Sequence, residues 1–138
     1  MCNLNDDCIF CRIIKQIIPC YSIYEDSHFL AFLDINPIDN AHTILIPKYH
    51  VQNFLDLPEE YLDKLGGVSA RITQKLFATT DAIGMNVLSN IGSSAGQVIM
   101  HAHTHFIPRY KSDEPINWTS ETGDLEKLAK LFEQIHKS

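Results

Sequence analysis

Three histidines, His101, His103 and His105, occupy alternate positions of the sequence. In an extended strand alternate side chains point to the same face, so the three imidazoles would line one wall. Imidazole exchanges protons, attacks electrophiles and binds metals near neutral pH. The spacing favours an active site, although a metal site or three surface histidines would show the same pattern.

The segment before these histidines has the composition of an anion-binding loop. Residues 90–96 include asparagine, serines and glycines, which expose backbone amides, and Gln97 adds a side-chain amide that can donate or accept. A donor-rich loop that leads into three imidazoles predicts a phosphate pocket.

A second group that could do chemistry is the pair Cys8 and Cys11. All four cysteines, at positions 2, 8, 11 and 20, lie in the first fifth of the chain. The polar, acidic N-terminus does not fit a secretory signal, so we expect a cytoplasmic, reducing location, where clustered cysteines more often bind metal than form disulfides. A lone Cys-x-x-Cys pair also fits redox motifs, so the motif alone leaves the choice open.

Composition restricts the remaining classes of function. The 138 residues are 45% hydrophobic and 20% charged, which is ordinary for one globular domain. No apolar run reaches the ~18 residues of a membrane span, so we expect no membrane partner. The net charge of −6 argues against broad nucleic-acid binding but permits a small anionic ligand in a local pocket.

The hydrophobic pattern predicts the elements that would position these residues. It predicts a helix over Ile9–Ile18, a long helix that follows a capping box at Asp56 and Glu59 and ends near residue 80, and a final amphipathic helix over 125–135. Strands are predicted at 22–25, 28–33, 43–47, 85–89 and 98–108, the last of which carries the histidines. This order predicts an α+β domain with an antiparallel sheet.

The segment from Gly96 to Arg109 resembles the signature of the histidine triad family, in which three histidines alternate with apolar residues. Thr104 departs mildly from that pattern, and the resemblance extends to residues 8–19, 32–37 and 42–50. It implies the family's fold, a five-stranded antiparallel sheet with one long helix and short helices, continued across a homodimer. We therefore expect one domain over 1–138, with its core at about 8–110 and a tail and helix over 111–138.

The resemblance also implies a chemistry. Family members bind nucleotides and break a bond at the α-phosphorus through a nucleotidyl-histidine intermediate, which assigns the nucleophile to His103. His105 and Gln97 would donate hydrogen bonds to phosphate oxygens. His42 corresponds to a further histidine near the phosphate or the leaving group, and a structural histidine that opens a strand is the alternative interpretation.

The same resemblance places the nucleoside. Asp34 matches a carboxylate that holds the ribose hydroxyls, and Asn90 matches a position that contacts ribose or phosphate. The apolar slot around a purine base would consist of Ile9, Phe10, Ile13, Phe32, Leu33 and Ile35. Taken singly, each of these apolar residues is more often part of a core.

Bacterial-type members of the family suggest a use for the cysteine pair. In a subset of them, the histidine of a Pro-Lys-x-His segment and the first histidine of the triad complete a zinc site, and these correspond to His50 and His101. We therefore expect structural Zn²⁺ on Cys8, Cys11, His50 and His101, with free thiols at positions 2 and 20. The histidines of the triad would then serve two sites.

The predicted function is hydrolysis of purine nucleotide derivatives, such as nucleoside phosphoramidates or adenylyl conjugates, with AMP or GMP as the bound nucleotide. Three alternatives stay open: hydrolysis of dinucleoside polyphosphates, a regulatory nucleotide-binding module with little turnover, and a zinc protein whose triad performs metal chemistry. Val98 stands where the eukaryotic phosphoramidase branch carries a serine that assists the leaving group. This departure weakens the phosphoramidate assignment without supporting hydrolysis of dinucleoside polyphosphates.

Overall fold

One antiparallel sheet of five strands forms the frame on which the histidines are placed. The computed structural model describes residues 3–112 and 118–137. Its strands are β1 (Ser22–Glu25), β2 (Phe29–Leu33), β3 (Thr43–Pro47), β4 (Gly84–Leu88) and β5 (Thr104–Arg109). They lie in the order β1-β2-β3-β5-β4, and every neighbouring pair is antiparallel. The predicted α+β class with a five-stranded antiparallel sheet is confirmed.

The first helix, α1 (Ile9–Ile14), is shorter than predicted. Gln16 adopts a left-handed conformation with φ of 63°. The amide of Gln16 then donates to the Ile13 carbonyl oxygen, and the amide of Ile17 donates to that of Arg12. This pair of bonds is the Schellman ending of a helix, so apolar periodicity continues beyond the point where the backbone turns away.

The long helix, α2 (Glu59–Thr79), ends close to the predicted residue but begins without the predicted capping box. Its N-cap position is Pro58, which makes no side-chain capping bond. Asp56 instead ends a short 3-10 helix, which Asn53 caps by accepting the Leu55 amide at 3.0 Å. The capping box was wrong because a separate turn intervenes before the helix.

The sheet is covered on both faces. Alternate residues of β2 and β3 contribute to two apolar clusters, as the period of two along a strand requires. One cluster packs against α2 through residues that include Val68, Ile72 and Leu76. The other packs against α1 through Phe10 and Ile13. Burial on both faces explains why these strands read as continuous apolar runs.

The histidine strand is shorter than predicted. β5 begins at Thr104, so His101 and His103 precede it. The backbone turns through a left-handed Gly96, and the Ala102 amide donates to the carbonyl oxygen of Val51 in a loop rather than to a strand. The first two histidines are therefore held by loop contacts, and the third by the sheet.

The last helix, α3 (Leu125–His136), is present as predicted, and the Asp124 carboxylate caps it by accepting two backbone amides. Its apolar side chains are not buried by the rest of the described chain, since Leu128, Phe132 and Ile135 are 51%, 61% and 61% exposed. Among the described residues, no helix is long and apolar enough to cross a membrane.

Candidate active site and metal centre

Two histidines of the triad face a cavity of about 630 Å³ between α1 and the sheet. This volume is typical of small-molecule sites, which span about 300–1,000 Å³. His103, His105 and Asp34 provide polar groups in a wall that is mostly apolar. Every residue predicted for the base slot also lines this cavity: Ile9, Phe10, Ile13, Phe32, Leu33 and Ile35. The structure thus brings the predicted base slot and two catalytic candidates together.

The ring of His103 is oriented by the backbone. Its Nδ1 lies 2.6 Å from the carbonyl oxygen of His101, and the Ser89 hydroxyl donates to the carbonyl oxygen of His103 at 2.7 Å. A carbonyl oxygen can only accept, so Nδ1 carries the proton and Nε2 keeps its lone pair. Burial lowers the pKa of His103, which favours this neutral form. The residue therefore keeps an unprotonated Nε2, as the predicted role of nucleophile requires.

A chain of hydrogen bonds sets the proton positions of the next two histidines. The Ile38 amide donates to Nδ1 of His42 at 3.0 Å, so the proton of neutral His42 lies on Nε2. That Nε2 is 3.0 Å from Nδ1 of His105 and donates to it. The proton of His105 is then on Nε2. Burial, reinforced by His103 and His42, lowers the pKa of His105 to about 4, so it acts as a neutral donor.

Asp34 directly follows β2, and its carboxylate oxygens can accept more hydrogen bonds than they receive from the protein. Its Oδ1 accepts the Asn36 amide at 2.8 Å, and its Oδ2 lies 3.7 Å from Nε2 of His42. The side chain is 18% exposed and lines the cavity. An ionised carboxylate offers about four lone-pair positions, so acceptors remain for a pair of hydroxyls. The predicted ribose contact is compatible with this position.

Four side chains from distant parts of the chain meet beside the cavity. Ligand atoms of Cys8, Cys11, His50 and His101 all lie within 4.8 Å of one another. Nδ1 of His101 is 3.4 Å from the Cys8 sulfur, 3.5 Å from the Cys11 sulfur and 3.1 Å from Nδ1 of His50. The Cys11 sulfur is 3.3 Å from Nδ1 of His50. The four predicted ligands therefore form one cluster.

The chemistry of this cluster fits a metal ion. Tetrahedral zinc would separate two nitrogens by about 3.4 Å and a nitrogen from a sulfur by about 3.6 Å, close to the observed spacings. Nε2 of His101 donates to the Pro47 carbonyl oxygen at 3.0 Å, which leaves Nδ1 free to ligate. Burial raises the pKa of the Cys11 thiol to about 11, so a cation is needed to hold its thiolate.

A second group of candidate ligands, Asp34, His42 and His105, also lies within 4.8 Å. Its hydrogen bonds argue against a metal there. Nδ1 of His42 accepts the Ile38 amide, so the proton sits on Nε2, the atom that a metal would require. We interpret this group as a hydrogen-bonding set.

Comparison with known proteins decides the family. The profile of the HIT domain, the histidine triad family, matches residues 15–112. The chain belongs to the HIT family. Its resemblance to bacterial members of that family is confirmed by a protein of Bacillus subtilis that is 41% identical over 136 residues, or 96% of this chain and 94% of the relative.

Related HIT proteins include named hydrolases. An adenosine 5'-monophosphoramidase of Candida albicans is 40% identical over 136 residues, which cover 93% of this chain and 88% of the relative. An adenylylsulfatase of Arabidopsis thaliana is 37% identical over 120 residues, or 87% of this chain and 60% of the relative. A crystal structure from Streptococcus mutans is 38% identical, has a TM-score of 0.91, and covers 99% of this chain and 88% of its own.

Gln97 does not line the cavity of this HIT protein. Its amide nitrogen donates to the carbonyl oxygens of Gln52 and Ile99 at 2.6 and 3.0 Å, and its oxygen accepts the Gly92 amide at 2.9 Å. Both N–H groups are therefore used to hold the loop. The predicted phosphate contact stays a prediction, and it would require the side chain to give up one of these bonds.

The predicted nucleotide contact Asn90 does not line the cavity, but it lies next to one of the lining residues. Its Nδ2 would be 3.3 Å from a Cβ added to Gly96, a residue of the cavity wall. The sequence interpretation also missed some wall residues, including Ile44 and Cys20. Ile44 was detectable, since it lies on the predicted strand two positions after His42, and alternate positions of an extended chain share a face. Cys20 is a free thiol as predicted, while position 2 lies outside the described residues.

Proposed function

We propose that this HIT protein hydrolyses adenylyl or guanylyl conjugates at the α-phosphorus through a covalent nucleotidyl-His103 intermediate. The observation that carries the proposal is the orientation of His103, whose Nδ1 is bound to a carbonyl oxygen so that Nε2 is the free nitrogen. The residue lines a cavity with the volume and apolar walls that suit a nucleoside. Relatives named adenosine 5'-monophosphoramidase and adenylylsulfatase support an adenylyl conjugate as substrate.

The proposed reaction has two displacements. The Nε2 lone pair of His103 attacks the α-phosphorus, and the bond from phosphorus to the leaving nitrogen or oxygen breaks with its electron pair, an amine leaving group taking up a proton from solvent. A water oxygen then attacks the same phosphorus, the phosphorus–nitrogen bond breaks, and the lone pair returns to Nε2. Water's proton passes to solvent and the nucleotide is released. Covalent capture divides one difficult substitution into two easier ones.

The neighbouring polar residues would stabilise these steps without titrating. Nε2–H of His105 would donate to a non-bridging phosphate oxygen as charge accumulates there. Asp34 would accept from the ribose hydroxyls, and Phe10 and Phe32 would hold the base. Because the donor is neutral and fixed by His42, no proton has to be rearranged before the substrate binds.

We also propose that the cluster of Cys8, Cys11, His50 and His101 holds structural zinc. Two thiolates and two imidazoles are the donor set that zinc prefers in closed structural sites. When bound, the ion would supply a cross-link between α1 and two loops and take no part in the displacement. Metal analysis of untagged protein should find one equivalent of zinc per chain, and a protein purified without metal would contradict this assignment.

The test of the function is covalent capture. The protein would be mixed with adenosine 5'-phosphoramidate, quenched rapidly and examined by intact-mass spectrometry with peptide mapping. We expect an AMP adduct on His103 and none in His103→Ala, while His136→Ala, at the exposed end of α3, behaves as wild type. Parallel assays with diadenosine tetraphosphate compare the two substrate classes. AMP binding without AMP release from either substrate would favour the regulatory module and overturn the proposal.

A further inference from the structure

Helix α1 belongs to the metal cluster and to the cavity at once. Cys11 contributes a ligand atom to the cluster of Cys8, Cys11, His50 and His101. Two neighbours of Cys11 on the same helix, Phe10 and Ile13, form part of the cavity wall. The helix has six residues, and its N-cap residue, Cys8, makes no side-chain capping bond. Isolated helices shorter than about 12 residues are marginal in water, so α1 depends on what anchors it.

His101 connects the same two sites through its backbone. Its ring nitrogen faces the metal ligands, whereas its carbonyl oxygen accepts the Nδ1 proton of His103. The Phe10 ring packs edge-on against both imidazoles, with centroids 5.7 Å from His101 and 5.2 Å from His103. A displacement of His101 would therefore move the carbonyl that orients the nucleophile and a ring that lines the cavity.

We propose that metal occupancy of the four-residue cluster and nucleotide occupancy of the cavity are thermodynamically coupled. The metal fixes α1 and the segment from His101 to His103 in the arrangement that binds a nucleotide. The cluster thus has a positioning role in addition to a stabilising one. Linkage requires the effect to be reciprocal, so bound nucleotide tightens metal binding by the same factor. The inference rests on the proposed nucleotide-binding function.

The expected size of the coupling follows from other linked sites. Coupling between distinct sites typically changes affinity by about 5- to 150-fold. Here the two sites share a helix and a two-residue backbone step, with no intervening element. We therefore expect at least a fivefold difference in AMP affinity between zinc-loaded and zinc-free protein, at the low end of that range.

The experiment measures both directions of the linkage on the full chain. Calorimetry gives the AMP affinity of zinc-loaded and chelator-treated protein, after circular dichroism and proton NMR have shown that the latter is folded. Competition with a chromophoric chelator gives the zinc affinity with and without saturating AMP. We expect the same factor in both. Equal AMP affinities in the two forms would overturn the coupling alone, whereas zinc-loaded protein that binds no AMP would overturn the proposed function as well.

A matched control separates positioning from stability. Val68 lies on α2, is 2% exposed and packs against the face of the sheet opposite to α1. Val68→Ala should lower the melting temperature while leaving the AMP affinity of zinc-loaded protein unchanged. If this variant weakens AMP binding as much as zinc removal does, the effect is one of global stability and the proposal fails.

A second measurement covers the case in which the zinc-free protein does not fold. Cobalt(II) substituted for zinc reports ligand geometry through its visible absorption bands, and this form is folded throughout. We then expect AMP to change the cobalt spectrum saturably, in wild type and in Val68→Ala alike. An unchanged spectrum at saturating AMP would overturn the coupling for such a protein.

Discussion

At the scale of single residues, backbone groups set the chemistry of the side chains. The carbonyl of His101 fixes the proton of His103, and the amide of Ile38 fixes the protons of His42 and, through it, His105. The histidines therefore have different states although they are chemically identical. Of the two histidines that line the cavity, His103 keeps a lone pair on Nε2 and His105 keeps an N–H there.

The hydrogen bonds that lead from the Ile38 amide through His42 to His105, which we call the relay, predict a graded loss of activity. His105→Ala would remove the proposed donor to the phosphate, and we expect kcat to fall by about 10²–10³. His42→Ala leaves the donor ring but frees its tautomer, so the fall in kcat should be smaller. Steady-state kinetics with adenosine 5'-phosphoramidate compares the two. A larger loss in His42→Ala would contradict the relay and assign His42 a direct contact with substrate.

The cluster of Cys8, Cys11, His50 and His101 was predicted from the resemblance to bacterial-type members of the family, since the Cys-x-x-Cys motif alone left the choice open. The relay was not. It depends on which ring nitrogen faces which backbone group, and Ile38 donates through an amide that every residue except proline possesses. Gln97 shows the same limit, since its side-chain bonds to Gln52 and Gly92 carry no sequence signature.

At the scale of elements, the sequence predicted which helices and strands are present better than it predicted the residues at which they begin and end. The first four strands and α2 were found within a few residues, because their apolar periodicity is strong. β5 began late because the segment before Thr104 contacts a loop, as the Ala102 amide does at Val51. α1 ended early because left-handed Gln16 redirects the backbone while the apolar pattern continues. Glycine signals such a turn in a sequence, and glutamine does not.

The unusual ending of α1 predicts a stabilising substitution. A non-glycine residue in the left-handed region is strained by about 1–2 kcal/mol, and Gln16 has φ of 63° there. Gln16→Gly should therefore raise the free energy of unfolding by about 1 kcal/mol, measured by urea denaturation. Gln16→Ala keeps the strain and serves as control, with no gain expected. A loss of stability in Gln16→Gly would show that the Gln side chain contributes more than the strain costs.

At the scale of the whole molecule, the sheet has two edges, β1 and β4. The sequence did not predict that β5 inserts between β3 and β4, since strand order depends on long-range pairing. We propose that β4 continues the sheet into a second copy of the chain. Its edge is free of a strand neighbour among the described residues, and Val87 and the preceding Ile83 are 47% and 62% exposed.

A charged edge should block this pairing. Lysine on an edge strand discourages further strand addition, so Val87→Lys should convert a dimer to a monomer. Light scattering after size exclusion should give twice the chain mass of 15.7 kDa for the wild type. Ser22→Lys, on the other edge strand, should remain dimeric. A dimeric Val87→Lys and a monomeric Ser22→Lys would show that the interface lies at β1.

Buried neutral histidine also makes global stability depend on pH. The pKa of His105 is lowered by burial from 6.5 to about 4, so the unfolded chain binds more protons between these values. The free energy of unfolding should therefore fall as pH decreases through this window. His105→Asn does not titrate and should lose less stability over the same range. Both proteins keep the four metal ligands, so the difference between their melting temperatures isolates His105, and parallel curves would contradict the assignment.

Cys20 lies in the cavity wall, so the rate at which its thiol is alkylated should report whether the cavity is occupied. The other two cysteines that the structure describes, Cys8 and Cys11, belong to the proposed zinc site, and a bound ion would shield them from alkylating reagents. Burial and the nearby Glu25 raise the pKa of Cys20, so alkylation would be slow at neutral pH and faster in mild alkali. In a Cys2→Ser background, protection of this one thiol would then titrate ligands of any chemistry without a label or a turnover assay.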